Sequence, residues 1–448
     1  MQTYCALLSV GSHEMVMALP LVENGEEKIY YTVCPTKGVV NGRIANSKRF
    51  QSCIEELRDS LEAKVANLRI TGLYVSFLGG PVVMEDFTAS VSCTGLSDDV
   101  KVAQEKDIEK LLGAYPKSIQ SDGTKILVDY IPVQFYHDGN PVNFDELDGI
   151  YGDTIACKFL LFWGPKIDYE RLQLAIKKTK LECKRVYLGL RASAAYLSDL
   201  KKKSDLVVLD MSYDHSEVGY YKYGKLLKYE WLREASWDRT LEWILGFLKS
   251  SQAEDFDDAY LSGLDLGKFS REALESGNGI DKKLAAVGVA MADKYFAPFQ
   301  KKITGKDEGD WNIDADVLSE GGVQLTGAIS GIKGLDVAFN KFLEAKECKF
   351  KVQVAEYFQN EKLSPCESQD ADLVKNSLAT VLGLWALVKE ESIDSSKEKT
   401  QKKMSGGLGF LEKLAEVRDG FTKGVKTLLG GDLINNTYED EEPKDQDR

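Results

Sequence analysis

Leu206-Val207-Val208-Leu209-Asp210-Met211 is an apolar run carrying one carboxylate near its end, and the order of segments behind it decides the fold. A second apolar run, Glu217–Tyr223, a turn at Gly224 and a third run, Leu226–Leu232, come next. The chain opens in the same order: Tyr4–Ser9 runs into Gly11-Ser12, Met15–Val22 is a second run, and Asn24-Gly25 is a turn signal. Lys28–Cys34 is the third, closed by Pro35. Strand, special loop, strand, glycine turn and strand therefore occur twice, the pattern of an internal duplication.

Helices and further strands come after each copy. Behind the first, Phe50, Ile54, Leu57, Leu61 and Val65 repeat at helical spacing after a candidate cap, Ser47. Gly72–Leu78 then reads as a buried strand. Tyr169–Thr179 (helix), Arg185–Gly189 (strand) and Ala192–Leu200 (helix) resume the alternation. Behind the second copy come helices at Trp237–Leu248 and Lys282–Phe299, strands at Gly322–Leu325 and Val352–Ala355, and a helix at Leu373–Val388. Alternating strand and helix implies an α/β fold with helices on the sheet faces. Between the two halves of the first copy lies a strand-rich stretch, with strands at Val82–Thr94, Lys125–Phe135 and Thr154–Trp163 and a helix at Glu105–Leu112.

These signals divide the chain into lobes, insertions and a tail. Residues 1–80 and 165–203 form the first lobe core, with an inserted subdomain at 81–164. Residues 204–240 and 318–390 form the second lobe core, with an insertion at 241–317. A flexible linker at 391–407, an amphipathic helix at 408–431 and an acidic tail at 432–448 complete the chain.

The amphipathic segment carries the sharpest pattern. Phe410, Leu411, Leu414, Val417, Phe421, Val425, Leu428 and Leu429 fall at steps of three and four and share one helical stripe. Lys413, Arg418, Lys423 and Lys426 lie on or beside the polar face. Gly409, Gly420 and Gly424 each weaken the isolated helix by up to ~1 kcal/mol, so it gains from a surface to fold against. A lipid interface is one such surface. The chain's own body or a partner protein is the other.

Composition narrows the function classes. The 448 residues carry a net charge of −14, against the basic face that nucleic-acid binding needs. None of the eight cysteines forms a CxxC pair, and only His13, His137 and His215 supply imidazoles, so neither a zinc site, a disulfide framework nor a catalytic triad is expected. The start lacks a basic stretch ahead of its apolar run, so a signal peptide is not expected. The longest clean apolar run, Leu378–Val388, falls short of the ~20 residues that span a bilayer. Gly263–Gly267-Lys268-Phe269 has the wrong spacing for a Walker loop.

Three loops come after strands where a backbone could approach a ligand: Ser9-Val10-Gly11-Ser12, Asp210-Met211-Ser212-Tyr213-Asp214-His215 and Leu325-Thr326-Gly327-Ala328-Ile329-Ser330-Gly331. On their chemistry each also reads as a plain turn.

Several stretches resemble the actin-like ATPase superfamily and, within it, the FtsA family of bacterial cell-division proteins. They are Pro35-Thr36-Lys37-Gly38-Val39 with Asn41-Gly42, Arg69-Ile70-Thr71-Gly72-Leu73-Tyr74-Val75-Ser76, Glu105-Lys106-Asp107-Ile108, Ile131-Pro132-Val133-Gln134-Phe135-Tyr136, and Leu325-Thr326-Gly327 with Gly334-Leu335. The resemblance implies a duplicated actin-like (ribonuclease H-like) two-lobed fold with an inserted subdomain in the first lobe and a C-terminal amphipathic membrane-targeting helix. It further implies a cytoplasmic protein, peripheral on the inner face of the membrane at the division site, that binds the C-terminal tail of the tubulin-like protein FtsZ and self-associates into protofilaments. By the same resemblance Gly11, Ser12, Asp210 and Gly327 mark a site for ATP with Mg.

That site departs from the family's pattern. Ser9 stands where the first phosphate loop carries an acidic residue. In the second loop Ser212, Tyr213 and Asp214 replace three glycines and His215 replaces a threonine; Ala328 replaces a glycine in the third. Loss of metal-side carboxylates and of close backbone approach argues for weak or no ATP hydrolysis. Two other classes fit the same superfold: an active ATPase or sugar-kinase-like enzyme, and a PilM-type scaffold for pilus assembly.

Overall fold

The computed structural model describes residues 2–23, 26–40, 42–76, 80–94, 101–114, 123–197, 205–248, 265–268, 287–314, 318, 322–355, 362–366 and 378–389. The linker at 391–407, the amphipathic segment with Phe410, Leu411, Leu414, Val417, Phe421, Val425, Leu428 and Leu429, the acidic tail, and much of 241–317 lie outside the described residues.

β1 (Gln2–Val10), β2 (Glu14–Glu23) and β3 (Glu26–Pro35) form the opening antiparallel meander, with Leu7 opposite Ala18 and Met17 opposite Thr32. Met15 through Leu19 are all buried, because the middle strand is covered on both faces. A short hairpin, β4 (Val39–Val40) and β5 (Arg43–Ile44), leads to α1 (Ser47–Lys64). The helix cap is Asn46, not Ser47: the Asn46 side chain accepts from Arg49 N at 3.0 Å. Phe50, Ile54, Leu57 and Leu61 then turn one stripe onto the sheet.

β6 (Leu68–Ser76) returns parallel to β1. Next come β7 (Val83–Ser92), α2 (Glu105–Leu112), β8 (Lys125–His137), β9 (Asn140–Val142) and β10 (Thr154–Pro165), the strands in the sheet order β7-β10-β8-β9. α3 (Lys166–Lys178) leads to β11 (Glu182–Tyr187), parallel to β6. That strand stops two residues earlier than its apolar run implies, because Gly189 already opens α4 (Gly189–Ala195).

The second copy repeats the plan. β12 (Asp205–Met211), β13 (Ser216–Lys222) and β14 (Lys225–Leu232) are antiparallel neighbours. After α5 (Trp237–Leu248), helix 287–304 contains a π-turn at Ala292–Phe296 and ends as α6 (Ala297–Thr304). β15 (Val323–Thr326) pairs parallel with β12; after α7 (Leu335–Ala345), β16 (Val352–Val354) pairs parallel with β15. The two sheet orders, β11-β6-β1-β2-β3 and β16-β15-β12-β13-β14, match strand for strand.

β17 (Lys362–Pro365) extends the first sheet beyond β3, an edge strand that sequence pattern did not reveal because it is only four residues long. The helix at 378–389 also packs into the first core, through Leu378, Val381, Leu382 and Leu384.

The described residues form two hydrophobic clusters, and β12 serves both. Leu206 and Val208 enter the first, while Val207, Leu209 and Met211 enter the second, as period-two alternation demands. The second cluster is bound by stacked rings, Phe296 on Phe339 at 4.1 Å and 12°.

By contact density the chain separates into two units. The first holds residues 1–88, 120–134 and 158–389, and so both copies of the repeat; the second includes 89–119 and 135–157. Within the second unit, the Asp107 carboxylate accepts from Thr94 N at 3.0 Å, Thr94 Oγ1 at 2.9 Å and Gln104 N at 3.1 Å, which anchors the start of α2.

One contact in the first unit is unusually close. A Cβ at Gly383 would lie 1.6 Å from the Ala192 carbonyl oxygen of α4. Alanine there would gain about 1 kcal/mol of helix propensity, but a backbone carbonyl cannot rotate away. Gly383→Ala is expected to lose about 2 kcal/mol of stability net, read from the urea midpoint. An unchanged midpoint would mean that the two helices do not meet this closely.

Candidate functional site

Two hairpin loops, one from each copy, build the site. In the first, between β1 and β2, the Gly11 N–H donates to Glu14 O at 3.0 Å, and a Cβ at Gly11 would stand 2.7 Å from that oxygen. Thr36 secures the same loop: Oγ1 donates to Gly11 O at 2.7 Å and its N–H to His13 O at 2.8 Å. The loop is tight because glycine lets the chain fold back on itself.

In the second loop, between β12 and β13, the Ser212 N–H donates to His215 O at 3.1 Å. The start of α5 pins the loop, with Asp238 N donating to Tyr213 O at 2.8 Å. Arg233 donates to Asp214 O and pairs with the Asp238 carboxylate at 2.8 Å. Tyr295 Oη donates to Ser212 O at 3.2 Å.

The loops meet through their side chains. The His13 and Tyr213 rings stack at 4.3 Å between centroids and 12° between planes. Asp214 and His215 pair at 3.0 Å, and the His215 ring lies on Trp231 at 5.3 Å. Gly42, at φ +68°, abuts this pair: a Cβ there would be 2.5 Å from Asp214 Oδ2.

Two more buried carboxyls complete the cluster. Asp210 accepts from Ser212 Oγ at 3.2 Å, and Gly327, at φ +85°, passes so near that a Cβ would be 2.5 Å from Asp210 Oδ1. Glu217 accepts from Tyr229 Oη at 2.5 Å and from the Leu190 N–H at 2.8 Å, supplying an N-terminal partner to α4.

The charges balance around one imidazole. Burial would push the Asp214 carboxyl up, but His215 beside it and the nearby Ser12 hydroxyl hold it down at about 2. Burial would pull His215 down; Asp214, Glu217 and Asp210 together raise it to about 9. Burial raises the Asp210 and Glu217 carboxyls, outweighing the lowering influence of His215 and of their hydrogen-bond donors.

The structure therefore brings Gly11, Ser12, Asp210 and Gly327 to adjoining strand ends. His13, Gly42, Glu217 and Trp231 belong to the same region and were not singled out as site residues from sequence. One signal pointed to the stack: each copy's first loop carries Ser followed by a ring, Ser12-His13 and Ser212-Tyr213.

As a cradle for ATP with its metal, this set of residues fits poorly. The Gly11 and Ser212 N–H groups are already bonded within their own loops, and two rings stand between the loops. Among the described residues no group of three His, Cys, Asp or Glu side chains is arranged to hold a metal ion, and no helix is long and apolar enough to cross a membrane.

No family model matches the sequence, and no curated protein matches it. Solved structures do. The chain resembles a PilM-PilN type IV pilus biogenesis complex at 15% identity and a TM-score of 0.56, covering 86% of this chain and 97% of the other. It also aligns with the ethanolamine utilization protein EutJ from Carboxydothermus hydrogenoformans at 10% identity and a TM-score of 0.43, covering 84% and 88%. A third is MreB5 of Spiroplasma citri bound to ADP, at 8% identity and a TM-score of 0.42, covering 90% and 98%. The protein has the duplicated, two-lobed actin-like α/β fold.

The charge cluster predicts a pH response of known sign. A raised His215 contributes stability that is complete below the unfolded value of 6.5 and is lost as pH rises through about 9. Asp214 acts in the other direction, its contribution present above 3.8 and lost as pH falls toward about 2. The urea midpoint of the wild type is expected to fall across pH 6.5–9 relative to that of His215→Gln. Parallel curves would refute the pairing.

Proposed function

We propose that this chain is an actin-fold scaffold that does not turn over ATP and that holds a partner assembly at a membrane surface. The stacking of His13 on Tyr213 between the two hairpin loops carries this reading, since the motif resemblance assigns those loops to phosphate binding, which needs free backbone N–H groups close to the ligand. Calorimetry with Mg-ATP is expected to give no saturable heat, and saturable binding would restore an enzymatic reading.

The particular assembly we favour is the FtsA-like one. The chain would bind the FtsZ C-terminal tail, self-associate into protofilaments, and anchor peripherally to the inner face of the membrane at the division site. Its support is the motif resemblance across most of residues 1–390 together with the apolar stripe from Phe410 to Leu429. Binding would come mostly from apolar burial, because the segment's polar face is nearly balanced in charge.

A PilM-like scaffold is the second reading. Its support is the match covering 97% of a chain from a structure described as a PilM-PilN complex. On this reading the partner is a short peptide of a membrane-complex protein.

Two measurements separate the readings. Immobilised FtsZ-tail peptide should retain the full-length chain, whereas retention only by a PilN-type peptide would select the second. In liposome flotation, Leu414→Glu or Phe421→Glu should cut the bound fraction roughly tenfold or more, as loss of ~2 kcal/mol of apolar burial plus a buried charge requires. Unchanged flotation would sink the membrane anchor while leaving the peptide assay to judge the partner.

A further inference from the structure

The two copies share the first hydrophobic cluster, where Leu206, Val208, Tyr221, Leu226 and Tyr229 of the second pack with residues of the first; a separate set of contacts joins their loops. His13 of the first copy lies on Tyr213 of the second. Gly42, at the tip of the β4–β5 hairpin, sits against Asp214 and within 4.0 Å of His215 by its would-be Cβ. That hairpin is itself tethered, since Arg43 pairs at 3.3 Å with Asp168, a buried carboxylate of α3. Glu217 of the second copy bonds the Leu190 N–H at the start of α4, in the first.

The loop contacts between the copies are of different physical kinds: ring stacking, steric fit at a left-handed glycine and a hydrogen bond to a helix end. Gly42 and Gly327 are the only residue type that suits their φ without strain. His13 is solvent-exposed, so its ring lies at the outer edge of the contact rather than in either core. The ring therefore meets the second copy from the rim of the contact.

We propose that the His13–Tyr213 stack, together with Gly42 seated on the Asp214–His215 pair, is a built-in latch that joins the two copies of the fold without a bound ligand. The latch rests on the proposed reading of the cleft as nucleotide-free. It lies between the two loops that the motif resemblance assigns to a phosphate and its cation, with the His215 ring beside the Asp214 carboxylate. The body that a partner meets is then one fixed arrangement of the two copies, independent of nucleotide supply.

Hydrogen–deuterium exchange on the full-length chain tests this. His13→Ala should speed amide exchange in 205–223, and Tyr213→Ala should speed it in 2–23, each roughly threefold to tenfold, the range expected for loss of one aromatic pair. The double variant should exchange no faster than the singles, because both remove the same contact. Tyr213→Phe keeps the ring and should match wild type, and Gly42→Ala should reproduce the loosening from the other side. Exchange in the opposite copy unaltered by His13→Ala would overturn the latch, as would additive effects in the double variant. His13→Ala removes an exposed side chain, so it decides the matter even if Tyr213→Ala fails to fold. Peptide retention and flotation by the same variants report separately on the scaffold reading.

Discussion

A carboxylate taken out of water must find a cation or several donors, and this fold buries three of them at the ends of two neighbouring strands. Asp210 is the penultimate residue of β12, Asp214 sits in the turn, and Glu217 is the second residue of β13. The single imidazole among them, His215, is held positive by their combined field. The other demands are met by hydrogen bonds: Ser212 to Asp210, and Tyr229 with the Leu190 N–H to Glu217. That local accounting dictates the path of the second loop, which in turn sets Tyr213 against His13. The orientation of α4 and the approach of Gly42 depend on the same cluster.

The duplicated fold places these groups where they can meet. In each copy the first strand pairs antiparallel on one side and parallel on the other, so its exit loop opens at the carboxyl end of the parallel strands, where ligands gather in α/β sheets. Both loops have filled that position with side chains. The chain then departs from strict symmetry: β17 and the helix at 378–389 return to the first sheet and core, and Gly383 allows that helix to touch the α4 backbone. The first copy thus carries these later elements as well as the opening ones.

Much of the architecture was legible because it is periodic. Leu206–Leu209 and Tyr4–Leu8 announce strands by apolar runs, and Phe50 to Leu61 announce a helix by spacing; α2 and α5 fall on the residues that patterning assigned. Two kinds of feature were not legible. Short elements such as β17 hold too few residues for a period to emerge. Boundaries set by local hydrogen bonding, such as Asn46 rather than Ser47 as the cap of α1, depend on which side chain happens to reach a free N–H. Within the site, Gly11, Ser12, Asp210 and Gly327 could be picked out as loop residues, but what each touches could not.

The duplicated α/β plan, a second loop without glycine and the apolar stripe from Phe410 to Leu429 are all written in residue type and spacing along one chain, so the order of amino acids sufficed to show them. That His13 lies on Tyr213, that Gly42 rests against Asp214 and that Glu217 reaches the start of α4 came from the folded chain alone. Those contacts join residues roughly 30 to 200 positions apart, and no periodicity links them. They exist because two sheets of the same strand order bring their loops to one place, where buried charge must be balanced within a few ångströms.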